Sequence, residues 1–135
     1  MIIDATNLIL GRLASFSAKK ALEGENVVIV NADKAIISGK KEDVIKKYKQ
    51  RVERGDPLRG PYFPKTSDRL VRRAIRGMLP YKQERGKNAF KKVMCYMGIP
   101  DEYKNQKIET VKQAAISRLK VSKYISIEEL SKQLK

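Results

Sequence analysis

At 135 residues, 41% of them hydrophobic and 33% charged, the chain has the size and composition of a single folded domain spanning 1–135 with a real hydrophobic core. Its 30 Lys and Arg residues against 15 Asp and Glu give a net charge of +15, which points to a polyanionic partner, nucleic acid ahead of an anionic membrane surface. With no histidine and a single cysteine, Cys95, an internal disulfide and nitrogen–sulfur zinc sites are excluded and the commonest general base at neutral pH is missing.

No apolar run approaches the roughly 18–20 residues of a spanning helix. The start, Met1-Ile-Ile-Asp4, lacks the basic and long apolar regions of a signal peptide. A lone thiol also suits a reducing, cytoplasmic setting.

Met1–Ile3 is a short apolar run, read as a buried strand. Leu10, Leu13, Ala14, Ser17, Ala18, Ala21 and Leu22 follow the spacing of one helix face. Lys19 and Lys20 stand where the helix dipole favours cations, and Gly24 is placed to end the helix. Val27–Val30 is β-branched throughout and apolar on both faces, the pattern of a central strand in a covered, parallel sheet. Strand, helix, strand within about thirty residues reads as a βαβ unit with a right-handed crossover. Asn31-Ala-Asp33 then falls at a strand's carboxyl end, where open α/β folds place ligands.

Ala35–Ile37 is a short extended piece, and Ser38-Gly39 opens a helix through about Arg51 with Lys41, Ile45, Tyr48 and Val52 on one side. Residues 54–65 hold Gly55, Pro57, Gly60-Pro61 and Pro64, a loop long enough to suggest a role. Thr66 or Ser67 caps the next helix. At about 100° per residue, Leu70, Val71, Ala74, Ile75 and Met78 fall on one side of it. Arg69, Arg72, Arg73 and Arg76 centre on the other. The helix ends near Gly77, and Pro80 blocks its continuation.

After a basic connector, Gly86–Lys92 reads as a turn or two of helix and Val93–Met97 as a second apolar strand. Residues 101–107 read as loop. Residues 108–121 fit either a helix or, at Ile116–Val121, an edge strand. Ser126-Ile-Glu-Glu129 is a capping box opening a C-terminal helix with Ile127, Leu130 and Leu134 on one side.

The charge is not evenly spread. Residues 54–92 carry nine of the fifteen excess positive charges, a concentration that self-repulsion opposes in a compact chain. An ordinary solvated helix face mixes signs, whereas the face of helix 67–78 repeats arginine at i, i+3, i+4 and i+7. Arginine is also the better residue for forked phosphate contacts. Within this stretch Arg59, Lys65, Arg69, Arg72, Arg73, Arg76, Lys82, Arg85, Lys87 and Lys91 are the expected RNA-binding residues. Tyr62 and Phe63 beside Lys65 either stack on unpaired bases or anchor their loop, with the anchoring role favoured for Phe63.

Other constellations are weaker. Ser38-Gly39-Lys40-Lys41 fails as a phosphate loop, because Lys34 stands where glycine is needed and Lys41 where Ser or Thr is needed. A lysine-tipped helix start that meets backbone phosphate stays open. Asp4 and Asp33 are better read as capping groups at strand ends than as a carboxylate pair. Cys95, between Met94 and Tyr96 in an apolar strand, is read as a buried, inert thiol. No catalytic group, metal ligand or cofactor motif emerges.

Several strings together carry a family likeness: Ile3-Asp4-Ala5, Leu10-Gly-Arg-Leu-Ala-Ser15, Val30-Asn31-Ala32 and Ser38-Gly39, then Arg73-Ala-Ile-Arg-Gly-Met-Leu-Pro80, Lys82, the Arg85-Gly86 pair and Gly98-Ile-Pro100. Across most of 2–100 the chain resembles the large-subunit ribosomal protein L13 family, and residues 101–135 resemble its archaeal and eukaryotic branch.

That resemblance implies a three-layer α/β/α fold around a small, mostly parallel central sheet with basic loop and helix extensions. It implies a structural, non-enzymatic, cytoplasmic constituent of the large ribosomal subunit that binds large-subunit rRNA beside neighbouring ribosomal proteins. No cofactor, membrane or small-molecule substrate is implied. By motif, Arg73, Arg76, Lys82 and Arg85 are its rRNA contacts, and Arg12 shares the motif with a role in the fold equally open. The alternatives are a free-standing nucleic-acid-binding protein or an enzyme acting on RNA, the latter using the strand ends near Asp4 and Asn31.

Overall fold

A computed structural model describes residues 1–55, 58, 60, 62–118 and 123–135. Strand β1 (Ile2–Asp4) leads through helix α1 (Leu10–Leu22) to β2 (Val27–Val30) and a single 3-10 turn at Ala32–Lys34. Then come β3 (Ile36–Ser38), α2 (Lys41–Glu53), α3 (Ser67–Gly77), α4 (Glu84–Lys91) and β4 (Val93–Cys95). After short 3-10 turns, β5 (Tyr124–Ser126) and α5 (Ile127–Leu134) close the chain. The fold is α/β, with a small sheet that is parallel throughout and a separate antiparallel ribbon.

The parallel sheet has the order β1-β2-β4. Its register aligns Ile3 with Ile29 and Ile29 with Cys95. Because side chains alternate along a strand, these three share one face. They join the core with Leu13, Ala14, Leu70, Val71 and Ile75. Helices α1, α3 and α4 pack together, α1 against β2 and α3 and α4 against β4. The small residues Ala14, Ser17, Ala18 and Ala21, all buried, let α1 approach closely. On the opposite face the aligned row is Ile2, Val28 and Met94, with Met94 42% exposed.

Both edges of this sheet are closed by the chain itself. Glu109 bonds β1 in parallel fashion, accepting from Asp4 N at 2.8 Å and donating to Ile2 O at 2.8 Å. At β4, the Arg72 side chain donates Nε to Val93 O at 3.1 Å. The ribbon β3–β5 is antiparallel, pairing Ile36 with Ser126, and α2 and α5 pack beside it.

Several local expectations meet their causes here. Gly24 has φ +97, and bonds from Gly24 N to Ala21 O and Glu25 N to Lys20 O end α1 in the pattern of a Schellman motif. Ser126 Oγ accepts from Glu129 N at 3.2 Å, capping α5. Others differ. Neither Thr66 nor Ser67 caps α3 through its side chain, and Thr66 Oγ1 is buried without a partner.

Met78 lies past the end of α3 and is 46% exposed, while Leu79 enters the core instead, because the backbone turns at Met78 before Pro80. On α2 the core residue is Val44, beside the half-buried Ile45, Tyr48 and Val52. Ser38 belongs to β3, so α2 starts at Lys41. Residues 112–118 form two 3-10 turns. The rest of the expected 116–121 strand, at 119–121, lies outside the described residues, as do Pro57, Arg59 and Pro61 of the 54–65 loop.

Candidate nucleic-acid interface

Helix α3 divides its four arginines by direction. With Leu70, Val71 and Ile75 buried, Arg69 and Arg76 point outward and Arg72 and Arg73 lie on the two flanks. Arg72 is turned toward the sheet. It donates Nε to Val93 O and, at 3.3 Å, a terminal nitrogen to Phe90 O, with its guanidinium 3.9 Å from the Phe90 ring centre. It ties α3 to the end of α4 and the edge of β4, a structural part that the sequence pattern alone does not separate from its neighbours.

Arg76 is half-buried and stacks on Tyr81, 4.2 Å from the ring centre. Such cation–π contacts fix the plane of the guanidinium and leave its edge donors directed outward. Arg73 is exposed, 5.6 Å from the Phe63 ring. Arg69 and Lys65 are exposed, and the Lys65 carbonyl is held by Ser131 Oγ at 2.6 Å. Lys82 in the turn after α3 and Arg85, Lys87 and Lys91 on α4 are all exposed. Arg59 lies outside the described residues.

The turn between α3 and α4 is built for close approach. A Cβ on Gly86 would stand 2.0 Å from Pro80 O and 2.2 Å from Pro80 C, so only glycine lets α4 cross this turn. That crossing brings Lys87 and Lys91 to Arg76 and Tyr81 around a cleft of about 710 Å³, which also holds Glu84. A second cleft, about 490 Å³, opens on the other side of α3 between Arg73, Gly77, Phe63 and the end of α2. There Tyr48 meets Phe63 edge-on at 6.1 Å, and Arg51 lies 5.2 Å from the Tyr48 ring. Burial pushes the Tyr48 phenol up, outweighing the lowering by Arg51, so it stays protonated.

Phe63 is thus an anchor for its loop. Arg51 and Arg54, which line this cleft, are missing from the residues expected on sequence grounds. The i, i+3 pair Tyr48 and Arg51 at the end of α2 was the available signal.

Among the described residues, the ion pairs all lie elsewhere: Lys20–Glu23, Lys41–Glu129, Lys104–Asp101, Lys107–Glu109 and Lys132–Glu128. Apart from Arg72 and Lys92, which donate to backbone carbonyls, the basic side chains of 65–92 turn outward, and none pairs with a carboxylate among the described residues. Like charges at i, i+3 and i+4 repel, and the face gains most from an external anion with many phosphates.

The strand ends are closed in contrast. Asp4 Oδ1 accepts from Thr6 N at 2.9 Å, Thr6 Oγ1 at 2.6 Å and Asn31 Nδ2 at 3.0 Å. Burial pushes the Asp4 carboxyl up, but these hydrogen bonds and the charge of Lys34 outweigh it and hold it below the ordinary 3.8. Asp33 accepts from Gly98 N at 3.4 Å. The two carboxylates are structural.

Burial drives the Cys95 thiol up to about 12, with Arg72 lowering it and Asp68 raising it further, which leaves an unreactive thiol. At the start of α2, Lys41 is paired with Glu129, and Glu42 and Asp43 fill the first turn, so that end does not favour phosphate. Arg12 donates to Gln113 O at 3.3 Å, joining α1 to the C-terminal segment. Among the described residues no three Asp, Glu, Cys or His side chains cluster to hold a metal, and no helix is long and apolar enough to cross a membrane.

Comparison with known proteins agrees with these strings and this geometry. The family model described as ribosomal protein L13 matches residues 1–102. Large ribosomal subunit protein uL13 of Methanosarcina barkeri is 48% identical over 134 residues, covering 98% of this chain and 96% of that protein. The uL13 of Methanococcoides burtonii is 47% identical over 133 residues, with the same coverage of both chains. That of Archaeoglobus fulgidus is 42% identical over 134 residues, covering 98% of this chain and 86% of its own. The family match over three quarters of the chain, and archaeal relatives aligned along nearly all of it, place this protein in the ribosomal protein L13 family.

Proposed function

We propose that this chain is a structural, non-catalytic constituent of the large ribosomal subunit that holds and positions large-subunit rRNA on the outer face of α3, the turn after it and α4. The observation that carries the reading is the uncompensated basic surface of 65–92, in which no described arginine or lysine has a carboxylate partner. The names of the archaeal relatives support the ribosomal setting.

Arg69, Arg73 and Arg76 present fork-shaped donors to phosphates of approaching rRNA strands, with Arg76 already oriented by Tyr81. Lys65, Lys82, Arg85, Lys87 and Lys91 extend the surface on both sides. Arg72 acts differently, holding α3 at the angle that aims the others. Recognition is of RNA shape and backbone, because the A-form major groove is too narrow for side chains to read. In this role the chain resides in the cytoplasm within the subunit and meets neighbouring ribosomal proteins there.

The test is co-sedimentation with large subunits through a high-salt cushion, followed by crosslink mapping. Arg73→Glu combined with Arg76→Glu is expected to abolish incorporation while leaving the thermal midpoint of the free chain unchanged. Full incorporation of that variant would overturn the reading, and loss of folding would assign the two arginines to the fold.

A further inference from the structure

The cleft between α2 and α3 differs from the rest of the basic face. Among the described residues it is lined by Arg51, Arg54 and Arg73 with no carboxylate, over the rings of Tyr48 and Phe63. Its volume of about 490 Å³ lies within the roughly 300–1,000 Å³ of small-molecule sites, the scale of a nucleotide rather than a duplex. The guanidiniums of Arg51 and Arg73 stand off their rings at 5.2 and 5.6 Å. In the neighbouring cleft Arg76 lies against its ring at 4.2 Å, and a carboxylate, Glu84, is present.

Gly77 supplies an independent observation. It closes α3 without a left-handed backbone, and a Cβ added to it would meet nothing within 4 Å. Among the described residues nothing accounts for a glycine there, in contrast to Gly86. Glycine is the residue that lets a ligand approach the backbone itself.

We infer that this cleft receives one unstacked nucleobase of the bound RNA, seated against Gly77 and the Tyr48–Phe63 pair with its flanking phosphates on Arg51, Arg54 and Arg73. The inference rests on the RNA-binding reading of the α3 face and adds a base-sized pocket to it. Every base has an aromatic face, so the pocket selects unpaired over paired RNA rather than one base over another.

Two probes test it with the full chain: a blunt-ended RNA duplex carrying one bulged 2-aminopurine, and the fully paired duplex of equal charge. The bulged probe is expected to bind at least about fivefold more tightly, the low end for one stacked base, with its fluorescence changed on binding. Gly77→Leu fills the cleft at an exposed position without altering charge. It should abolish the preference and the fluorescence change. Arg69→Gln, outside the cleft, should weaken both probes alike.

Equal, salt-sensitive binding of both probes by the wild-type chain would overturn the pocket and leave the RNA-binding face standing. A preference that survives Gly77→Leu would also overturn the pocket. Failure to bind either probe would sink both readings.

Discussion

The corner at the carboxyl ends of β1 and β2 and the outer surface of α3 and α4 are both dense in polar groups, and they treat them oppositely. At the corner, Thr6 and Asn31 both donate to Asp4 Oδ1, Asn31 N donates to Gly98 O and Ala32 N to Tyr96 O. One Asp4 oxygen and the Asn31 side-chain nitrogen are thus tied into the fold, in the place where open α/β sheets usually bind a ligand. On the helical surface the arginines and lysines of 65–92 lack carboxylate partners. The difference teaches that the strand-end corner ties its polar groups into the fold, while the outside of the helical layer leaves its charge open to an external partner.

Variants that disturb the scaffold should show the largest effects. Gly86→Val drives a side chain into the Pro80 backbone, and a loss of about 3 kcal/mol or more is expected, read as a fall in the urea midpoint. Gly77→Ala, only nine residues earlier, should leave the midpoint unchanged or slightly raised, since its Cβ enters open space. Equal losses at the two glycines would break the contrast between a scaffold contact and an external one.

The arginine row sharpens the comparison within one helix. Arg72→Ala removes two hydrogen bonds and the Phe90 contact and should cost about 1–3 kcal/mol of stability. Arg69→Ala should change stability by no more than about 0.5 kcal/mol while lowering affinity for large-subunit rRNA. The reverse pattern would exchange the roles assigned to the two residues.

Acid should reveal the closed corner. Asp4 has a folded pKa below its ordinary value, so its contribution is present above the unfolded pKa and disappears as pH falls through the folded one. Between about pH 5 and about pH 2, the wild-type urea midpoint should therefore fall more than that of Asp4→Asn. Parallel curves would show that the corner does not favour the carboxylate. The smallest expected effect is at Cys95: with its thiol at about 12, a thiol reagent at neutral pH should label the native chain negligibly and the urea-unfolded chain fully.

Much of this contrast was legible in the residues. Val27–Val30, the periodic small residues of α1 and the arginine spacing of α3 are local patterns, and they report strand, packing face and basic surface directly. The corner's closure was partly legible, because Asp4 and Asp33 read as capping groups at strand ends, whereas the bond from Asn31 to Asp4 did not. The special role of Arg72 was not, since helix spacing places it only 60° from Ile75 and the carbonyls it meets come from residues about twenty positions later. Met78 shows a similar limit: the helical pattern includes it, but the turn toward Pro80 takes it out of the core. Arg51 was legible only as the i, i+3 neighbour of Tyr48 on α2, and Arg54 joins the surface where Phe63 comes back against Tyr48, which no periodicity encodes.

The most direct test of the central claim is the salt dependence of binding to large-subunit rRNA. Log affinity against log salt should fall steeply for the wild-type chain, with a slope of several units. Arg69→Gln and Arg76→Gln should each make it shallower by about one unit, and Asp4→Asn should leave it unchanged. A nearly flat wild-type titration, or a slope indifferent to the loss of both arginines, would contradict the assignment of the α3–α4 surface to rRNA.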